Sequence, residues 1–467
     1  MGVNEIYYNE EPGTYEKKVA QKIMMNYVFN NNDQVKIVSK SGYTLYHPND
    51  LPSGDPNEWN RLAHPKNKHK KRKKKNKNSN QNHLTSNTLL LGEDSVVDLV
   101  DVSTERFNGM CRIMGDFRKA ARAAATVRKP LPAPTELTRP NNMKNSFDIG
   151  TIPTLEELTS PLLKAETTIL GMDKNIIEFI IQCAIKRRNE NKRACLMGES
   201  AALDRIESFI SKGYATTADR SKADVSENDS SRLSIHFALG TLSPRTVYWK
   251  AQEAGKGCEW LMSHLEMRDF FLYTTYANDN RMFLKEGIPV GKTRKEITWK
   301  NPSDEQDNWK RWATGKTQLP LVDAAMLELM STGYCSNRVR QNVASVLTKD
   351  LQMDWRAGAD WFQFLLEDHC VGANFGNWLY FSGVGPDPKN RHFRTSSQSL
   401  RYDVEGTYVK KWLPVLAKID DLEAVFRPWN FDVPGFQNPI VDPSSQLTWQ
   451  DLKRLEETDK LIDDGQE

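Results

Sequence analysis

Apolar residues recur with the spacing of an α-helix through most of the chain after about residue 195. The segment that follows Ser336 is the clearest case, because its apolar positions share one helical face: Val339, Val343, Val346, Leu347 and Leu351. A proline at its first position predicts a second helix over 244–254, and Pro320 and Gly333 bound a third. We find no convincing strand pattern between 195 and 420, so we predict an almost wholly α-helical large domain.

The beginning of the chain has weaker and shorter patterns. Residues 14–28 carry apolar side chains at helical spacing, and residues 35–46 have the composition of a strand with a Ser-Gly turn inside it. We therefore expect one helix and one strand here, without a sheet. Residues 117–128 predict a short cationic helix, which the proline-rich linker KPLPAP ends.

Composition is typical of a soluble globular protein and excludes several classes. Of the 467 residues, 38% are hydrophobic and 27% are charged, and 12 are tryptophans. No stretch predicts a membrane span, and the first residues lack the pattern of a targeting peptide. The six cysteines form no C-x-x-C pair and no zinc spacing, so we expect no metal site and a reducing, intracellular compartment.

Positive charge is concentrated in one segment. Residues 66–77 (KNKHKKRKKKNK) contain nine basic side chains and no acidic one, although the net charge of the whole chain is only +3. Such a block repels itself and cannot pack, which predicts a disordered insertion. It is compatible with a solvated loop, with a nuclear import signal or with a tether for nucleic acid, and the composition does not decide among them.

The chain lacks the common catalytic motifs, which favours chemistry carried by a cofactor. It has no nucleophile elbow, no P-loop, no HExxH and no G-x-G-x-x-G that opens a helix. One candidate phosphate-binding segment combines hydroxyls, backbone N–H groups and a guanidinium: Ser230, Ser231, Arg232, Leu233 and Ser234. A serine-rich turn is more commonly an ordinary helix cap, so this signal is weak by itself.

A second candidate site lies at the start of the helix after Ser336. Arg338 and Arg340 lie about 200° apart around a helix, so one can face solvent while the other points inward to an anion. The alternative is a pair of surface arginines. Asp368 follows an apolar helix and could serve as an ordinary turn former.

The order of several segments resembles the flavin domain of the photolyase/cryptochrome family. The resemblance is carried by GESAALDRIESFI, SSRLSIHFALGTLSPR, RDFF, VDAAMLEL, SNRVRQNVASVLTKDLQMDWRAGADWF, NFGNW and GVGPDPKNRHF. Within that family SNRVRQN, GVGPDP and FRKAARAAATVRKPLPAP resemble the DASH-type branch. The resemblance implies a mainly α protein, with an all-helical FAD-binding domain preceded by a remnant of an α/β antenna domain.

The resemblance also implies a role for individual residues around a U-shaped FAD. The phosphates would contact Ser230, Ser231, Arg232, Leu233 and Ser234, and the adenine side or cavity wall would include Arg268 and Asn337. Arg340 and Asp368 would form an ion pair over the isoalloxazine, with Asn374 at flavin N5. Trp378, Trp355 and Trp299 match the proximal, middle and distal members of an electron-transfer chain. The DNA-binding residues would be Arg220, Arg338, Tyr380 and Gln398.

Several positions depart from the family pattern. Thr216 stands in place of a tyrosine that contacts FAD, and Cys370 in place of a second aspartate. In the lesion cavity His264 replaces a glutamate, Met267 a tryptophan and Gln318 a glycine. Arg394 and Ser397 replace an asparagine and a lysine of the DASH pattern. These departures affect the expected repair of DNA more than the expected binding of FAD.

The sequence divides into five predicted segments. They are an antenna remnant (1–60), a disordered basic insertion with an acidic linker (61–104), a helical connector (105–190), a helical FAD-binding domain (191–420) and a C-terminal tail (421–467). Residues 35–51 resemble the last antenna strand, and the front of that domain is absent, through a real truncation or a wrong gene start. We therefore expect no bound antenna chromophore.

Three hypotheses for function follow. The first is a light-driven, FAD-dependent enzyme that repairs cyclobutane pyrimidine dimers in DNA that is single-stranded or has the dimer flipped out. The second is a blue-light flavin photoreceptor or nucleic-acid-binding protein without repair activity. The third is a decayed homologue that binds no flavin. Under the first two we expect FAD as cofactor, a monomer and no membrane partner.

Overall fold

A computed structural model describes most of the helical part of the chain and several short segments before it. The described residues are 5–9, 18–19, 22, 36–40, 42–65, 104–132, 135, 151, 153–164, 171–189, 198–214, 230–255, 257–288, 297–386, 391–448 and 450–451. Helices account for most of them, which confirms the prediction of a mainly α protein. The basic run at 66–77 lies outside the described residues, as do Thr216 and Arg220.

The described residues contain two strands and seventeen α-helices. The strands are β1 (Glu5–Asn9) and β2 (Lys36–Lys40). The helices up to residue 278 are α1 (Pro56–Ala63), α2 (Thr104–Phe107), α3 (Met114–Ala124), α4 (Leu155–Lys164), α5 (Lys174–Asn189), α6 (Glu199–Ser211), α7 (Ser234–Ala238), α8 (Pro244–Ala254) and α9 (Glu259–Asn278). The remaining helices are α10 (Gln306–Ala313), α11 (Pro320–Thr332), α12 (Asn337–Ser345), α13 (Trp355–Leu365), α14 (Val371–Ser382), α15 (Thr395–Tyr402), α16 (Thr407–Trp412) and α17 (Leu422–Phe426).

The two strands form a small parallel sheet. β1 pairs with β2 in a register that runs from Glu5 opposite Lys36 to Asn9 opposite Lys40. The expectation of a strand without a sheet was therefore wrong. Alternation over five residues is too short to distinguish β1 from a loop in the sequence. The one strand that was predicted, over residues 35–46, ends at Lys40 as β2, and bends follow from residue 43.

Contacts divide the chain into two compact units that interleave along the sequence. The first comprises Met1–Thr151, Leu242–Met282 and Val371–Gly376, and the second comprises Ile152–Thr241, Phe283–Cys370 and Asn377–Glu467. The five segments drawn from the sequence stay predictions. Residues 421–448, which the sequence assigned to a tail, include completely buried side chains such as Val425.

The core of the first unit is built on α9, whose carboxylates bind a bent segment at residues 43–46. The backbone N–H groups of Leu45 and Tyr46 donate to the two carboxylate oxygens of Asp269, each at 2.8 Å. Asp269 is completely buried, and burial raises its pKa to about 7 despite these two hydrogen bonds. Around it Phe117 packs on Phe270 with ring centroids 5.6 Å apart.

A second buried carboxylate on α9 binds helix α3. Glu266 accepts from Arg118 Nε at 2.9 Å and from Arg122 Nε at 2.6 Å, and the hydroxyl of Tyr46 donates to it at 3.1 Å. The Glu266 side chain is only 2% exposed, whereas the arginines are 28% and 56% exposed. The cationic helix predicted from the sequence is therefore tied to the core by its charges.

We expect Glu266→Ala to lower the free energy of unfolding of the protein by about 2–3 kcal/mol, because it removes the shared acceptor of Arg118, Arg122 and Tyr46. Part of the loss is recovered, because both arginines can turn to water. The measurement is urea denaturation followed by tryptophan fluorescence. Lys119→Ala is the matched control, since its exposed pair with Asp116 is worth about 0–1 kcal/mol. Equal effects of the two substitutions would contradict this role of Glu266.

The second unit contains the helices that the sequence predicted best. α11 begins at Pro320 and ends before Gly333, whose φ of 71° is the left-handed conformation that glycine adopts easily. All five predicted apolar positions after Ser336 are buried, although the segment 346–350 is a π-helical turn. Ser336 stands at the N-cap of α12, without a capping hydrogen bond from its side chain.

Candidate functional site

An arginine of α6 fixes the serine turn at residues 230–234 through two of its backbone carbonyl groups. Arg205 donates from Nε to the carbonyl of Ser231 at 3.0 Å and from Nη2 to the carbonyl of Ser230 at 2.9 Å. Arg232 has a φ of 53°, and its backbone N–H donates to Ser230 Oγ at 3.3 Å. Positive φ is uncommon for a residue with a side chain, so the turn is held in a specific conformation.

An ion pair lies between α12 and the segment before α14. Arg340 Nη2 donates to both carboxylate oxygens of Asp368, at 2.9 and 3.1 Å, and Arg340 Nε donates to the carbonyl of Cys335 at 2.8 Å. The side chains are 20% and 4% exposed. Burial has the largest single effect and disfavours the charged guanidinium, but the charge of Asp368, its hydrogen bonds to Arg340 and the neighbouring Cys335 and Tyr334 together raise the pKa of Arg340.

Tyr334 connects the serine turn with this ion pair. The guanidinium of Arg232 lies 5.1 Å from the centroid of the Tyr334 ring, and that of Arg340 lies 5.4 Å from it. Both distances fall in the range of cation–π attraction. The second unit therefore brings Arg232 close to Arg340 and Asp368, although Arg232 precedes both by more than 100 positions along the chain.

The residues of this site fit a flavin dinucleotide. Arg232 Nε is buried and has no hydrogen-bond partner in the part of the chain that the structure describes. A buried donor of this kind, next to serine hydroxyls and a turn of backbone N–H groups, suits the oxygens of a phosphate. The Arg340–Asp368 pair supplies a charged donor and a charged acceptor for a polar ring edge.

Sequence reasoning missed two residues that build this site. Arg205 lies within GESAALDRIESFI, and its side chain fixes the serine turn without being a group expected to contact a ligand. Tyr334 stands beside Cys335 in a loop, where no periodicity marks it. The sequence carries no clear signal for Arg205, because the same helix also contains Glu199, Asp204 and Glu207.

Asn374 lies on α14, in a part of that helix belonging to the first unit. It is buried, between two glycines that allow α14 to approach α9 closely. A Cβ on Gly372 would lie 2.9 Å from Leu272 Cδ2, and one on Gly376 would lie 2.8 Å from Phe271 Cδ1. The glycines of this helix therefore fix the position of Asn374.

Arg268 also belongs to the first unit. Its Nη1 donates to the carbonyl of Tyr43 at 2.6 Å, and its guanidinium lies 4.3 Å from the centroid of the Tyr43 ring. Asn337, the other residue assigned to the adenine side or cavity wall, is exposed at the start of α12. The structure does not test these two assignments, and they stay predictions.

The three predicted relay tryptophans are all buried in the second unit. A parallel bridge between Lys300 and Met353 brings Trp299 and Trp355 into neighbouring segments, with Asp354 N–H donating to the Lys300 carbonyl at 3.0 Å. One turn after Trp355, a Cβ on Gly358 would lie 2.3 Å from Trp378 Cη2. Helix α13 therefore supports Trp378 directly, and only glycine fits at position 358.

Two residues predicted to bind DNA, Arg338 and Tyr380, take part in cation–π contacts in the second unit. The guanidinium of Arg338 lies 4.0 Å from the Tyr402 ring centroid, and Nη1 donates to Gln341 Oε1 at 3.1 Å. Arg391 lies 5.5 Å from the Tyr380 ring. Gln398 Oε1 is buried without a hydrogen-bond partner among the described residues. Arg338 contacts Tyr402 and Gln341, whereas Arg340 pairs with Asp368. The two arginines therefore have different partners, as expected for side chains on different sides of one helix.

Some departures from the family pattern have structural explanations. Gln318 has a φ of 63°, a conformation that favours the glycine of the family, and its Oε1 accepts from the backbone N–H of Asn438 at 2.6 Å. Arg394 Nη1 donates to the carbonyl of Ser445 at 2.5 Å, and the backbone N–H of Thr448 donates to Ser397 Oγ at 2.7 Å. These side chains bind the C-terminal segment of the described chain.

The substitutions in the predicted lesion cavity have different exposure. His264 is exposed on α9, with Nδ1 at 2.7 Å from the carbonyl of Trp260. Because a carbonyl oxygen only accepts, Nδ1 carries the proton, and Nε2 is the acceptor of the neutral ring. Met267 is half-buried on the same helix, and Cys370 is buried directly before α14.

No helix in the described ranges has both the length and the apolar character needed to cross a bilayer. In the same ranges, no group of three or more His, Cys, Asp and Glu side chains is arranged to hold a metal ion.

Comparison with known proteins relates this chain to a family with an FAD-binding domain. Residues 260–448 match the model of the FAD binding domain of DNA photolyase. Cryptochrome DASH of Danio rerio is 34% identical over 340 residues, which are 70% of this chain and 59% of that protein. Cryptochrome DASH of Natronomonas pharaonis is 36% identical over 324 residues, 67% of this chain and 60% of that protein.

Solved structures show the same fold. The crystal structure of a Synechocystis cryptochrome matches with a TM-score of 0.66 and 25% identity, over 95% of this chain and 77% of that one. A class III photolyase of Agrobacterium tumefaciens matches with a TM-score of 0.63 and 20% identity, over 95% and 77% of the two chains. The chain belongs to the photolyase/cryptochrome family, within its DASH-type branch, and its predicted resemblance is confirmed. It spans about three fifths of the length of the Danio rerio and Natronomonas pharaonis proteins.

Proposed function

We propose that this protein is a flavoenzyme that uses light to move an electron from reduced FAD into a cyclobutane pyrimidine dimer of DNA. The observation that carries the proposal is the buried Arg340–Asp368 ion pair, which shares Tyr334 with the buried guanidinium of Arg232. Burying an ion pair away from water costs desolvation free energy, so such a pair needs a reason such as binding a ligand or fixing a specific structure. The preferred DNA is single-stranded or has the dimer flipped out, and the protein acts as a monomer.

Each part of the site has a role in binding FAD. The serine turn, held by Arg205, presents its N–H groups, its hydroxyls and Arg232 to the phosphates. Arg340 and Asp368 would hold the polar edge of the flavin ring, and the family resemblance assigns Asn374 to N5. When bound, FAD supplies the light-absorbing and electron-donating chemistry. The buried aromatic side chains around Trp378 exclude water from the route by which electrons reach the cofactor.

DNA binding is assigned to groups outside the flavin contacts. Arg338 lies against Tyr402, and among the described residues its guanidinium donates one hydrogen bond, to Gln341, so other guanidinium N–H groups can contact a phosphate. Tyr380, Gln398 and Arg220 complete the proposed contacts. The basic run at residues 66–77 would add affinity that is independent of DNA sequence and falls with salt.

A flavin photoreceptor without repair activity is the second candidate, and the substitutions on α9 favour it. A carboxylate at position 264 could accept hydrogen bonds with two oxygens, whereas neutral His264 has Nε2 alone. Met267 offers a weaker and more adaptable contact than a stacking tryptophan. We therefore expect repair by the wild type to be slow.

The test is repair of a dimer-containing, single-stranded oligonucleotide under blue light, after the flavin has been reduced. We expect slow repair by the wild type and faster repair by the double substitution His264→Glu with Met267→Trp. Met262→Trp is a control on the same helix, because it adds an indole at a half-buried position away from the substituted pair. Full FAD occupancy without repair in either protein would favour the photoreceptor, and rapid wild-type repair without a gain would show that both substitutions are harmless.

A further inference from the structure

Trp378 has aromatic neighbours that the predicted relay does not include. The centroid of the Trp312 ring lies 6.2 Å from that of Trp378 in an edge-on arrangement, and the centroid of Phe362 lies 5.2 Å away. Trp312 in turn stacks on Trp309, with ring centroids 5.3 Å apart and planes 24° from parallel. Three tryptophans therefore form a continuous series of ring contacts within the second unit.

Trp312 has the same kind of environment as Trp355, the predicted middle member of the relay. Both side chains are completely buried. The Trp312 indole N–H donates to the carbonyl of Val343 at 3.0 Å, and that of Trp355 donates to the carbonyl of Lys285 at 3.1 Å. Because the acceptor of an N–H group favours positive charge on that group, both rings are suited to lose an electron.

Trp309 is suited to be the end of this series. A Cβ on Gly171 would lie 3.7 Å from Trp309 Nε1, so the glycine turn covers the indole without a side chain. The next residue, Lys310, pairs with Asp173 at 3.0 Å, and the Asp173 side chain is 52% exposed. The neighbouring ammonium charge is therefore compensated, which lowers the cost of a positive charge on Trp309.

We propose that Trp312 and Trp309 form a second branch of the electron relay, which reaches the flavin through Trp378 and does not need Trp299. The inference rests on the proposed flavin function. One electron leaves Trp378 for the photoexcited flavin, Trp312 returns one electron to Trp378, and Trp309 returns one to Trp312. The Trp309 radical releases its N–H proton, and an external thiol restores the residue with one electron and one proton. Two thiyl radicals formed in this way combine to a disulfide.

The test compares light-driven flavin reduction, with dithiothreitol as donor, in the wild type, Trp299→Phe, Trp309→Phe and the double variant. We expect Trp299→Phe to keep part of the reduction and a transient tryptophan-radical absorbance, and the double variant to lose both. Trp361→Phe is the matched control, because Trp361 is also completely buried but has its ring stacked on Phe364. Complete loss in Trp299→Phe alone, or equal rates in Trp299→Phe and the double variant, would overturn the branch.

The stacked pair also has a readout that needs no flavin. Two indoles at the Trp309–Trp312 distance should give an exciton couplet in ultraviolet circular dichroism of the flavin-free protein. The couplet should disappear in Trp309→Phe and remain in Trp361→Phe. Its absence from the wild type would overturn the branch without affecting the proposed function. If Trp309→Phe does not fold, the transient tryptophan-radical absorbance of Trp299→Phe tests the branch instead, because that variant keeps Trp309. Its presence would support the branch, and its absence would overturn it.

Failure of the proposed function gives a different result. A wild type that binds FAD but is not reduced in light would contradict the whole relay, as would normal reduction in Trp378→Phe, because both branches begin at Trp378. If only the branch proposal is wrong, the flavin of the wild type is still reduced in light, but this reduction depends fully on Trp299.

Discussion

Asp368→Ala is expected to release FAD from the purified protein. The substitution leaves the Arg340 guanidinium, whose side chain is 20% exposed, without its carboxylate. Breaking a buried pair in this way costs about 3–5 kcal/mol, which corresponds to a loss of affinity of at least about 100-fold. The measurement is the ratio of bound flavin to protein after gel filtration, followed by titration of the flavin-free protein with FAD.

Two variants separate this effect from general destabilisation. Glu305→Ala removes an exposed pair with Lys300 in the same unit and should leave flavin occupancy unchanged. Asp368→Asn keeps a hydrogen-bond acceptor and should bind FAD more tightly than Asp368→Ala does. Full occupancy in Asp368→Ala would show that the ion pair does not belong to the flavin site.

Trp378→Phe is expected to abolish light-driven reduction of bound FAD. Phenylalanine fills most of the space beside Gly358 and Phe362, so the cofactor should stay bound. A phenyl ring is much harder to oxidise than indole and cannot supply the electron. The measurement is the loss of the oxidised flavin absorbance under blue light with a thiol donor.

The control for this substitution is again Trp361→Phe, which removes a buried indole elsewhere in the second unit. The flavin bound to Trp361→Phe should be reduced in light at the wild-type rate. Unchanged reduction in Trp378→Phe would show that electrons reach the flavin by a route outside this cluster of aromatic side chains, and both the predicted relay and its second branch would then be wrong.

Much of the helical fold could be predicted because periodicity and caps agree along the same segments. The face that includes Val339, Val343 and Leu347 is completely buried, and α8 begins behind Ser243, whose side chain accepts from the N–H of Arg245. Local signals and tertiary packing favour the same structure at these positions. In β1 only the pairing with a distant strand decides the structure, and one sequence does not show it.

The site was predictable only in its local pattern. The angular separation of Arg338 and Arg340 predicted one inward and one outward arginine, and the structure gives them different partners. The same reasoning could not find the partner of Arg340 without the family resemblance, because Asp368 lies beyond the next helix. Nor could it find the contact between Trp312 and Trp378, since sequence spacing carries no information about ring stacking.

We expect this chain to bind FAD in the site around Arg340 and Asp368. The most direct measurement is the absorbance spectrum of the purified protein, with the released cofactor identified after denaturation. We predict the blue-absorbing bands of oxidised flavin, with about one FAD for each chain, and their loss in Asp368→Ala. A wild-type protein that is folded but colourless, and that stays colourless after incubation with FAD, would show that this chain does not bind FAD.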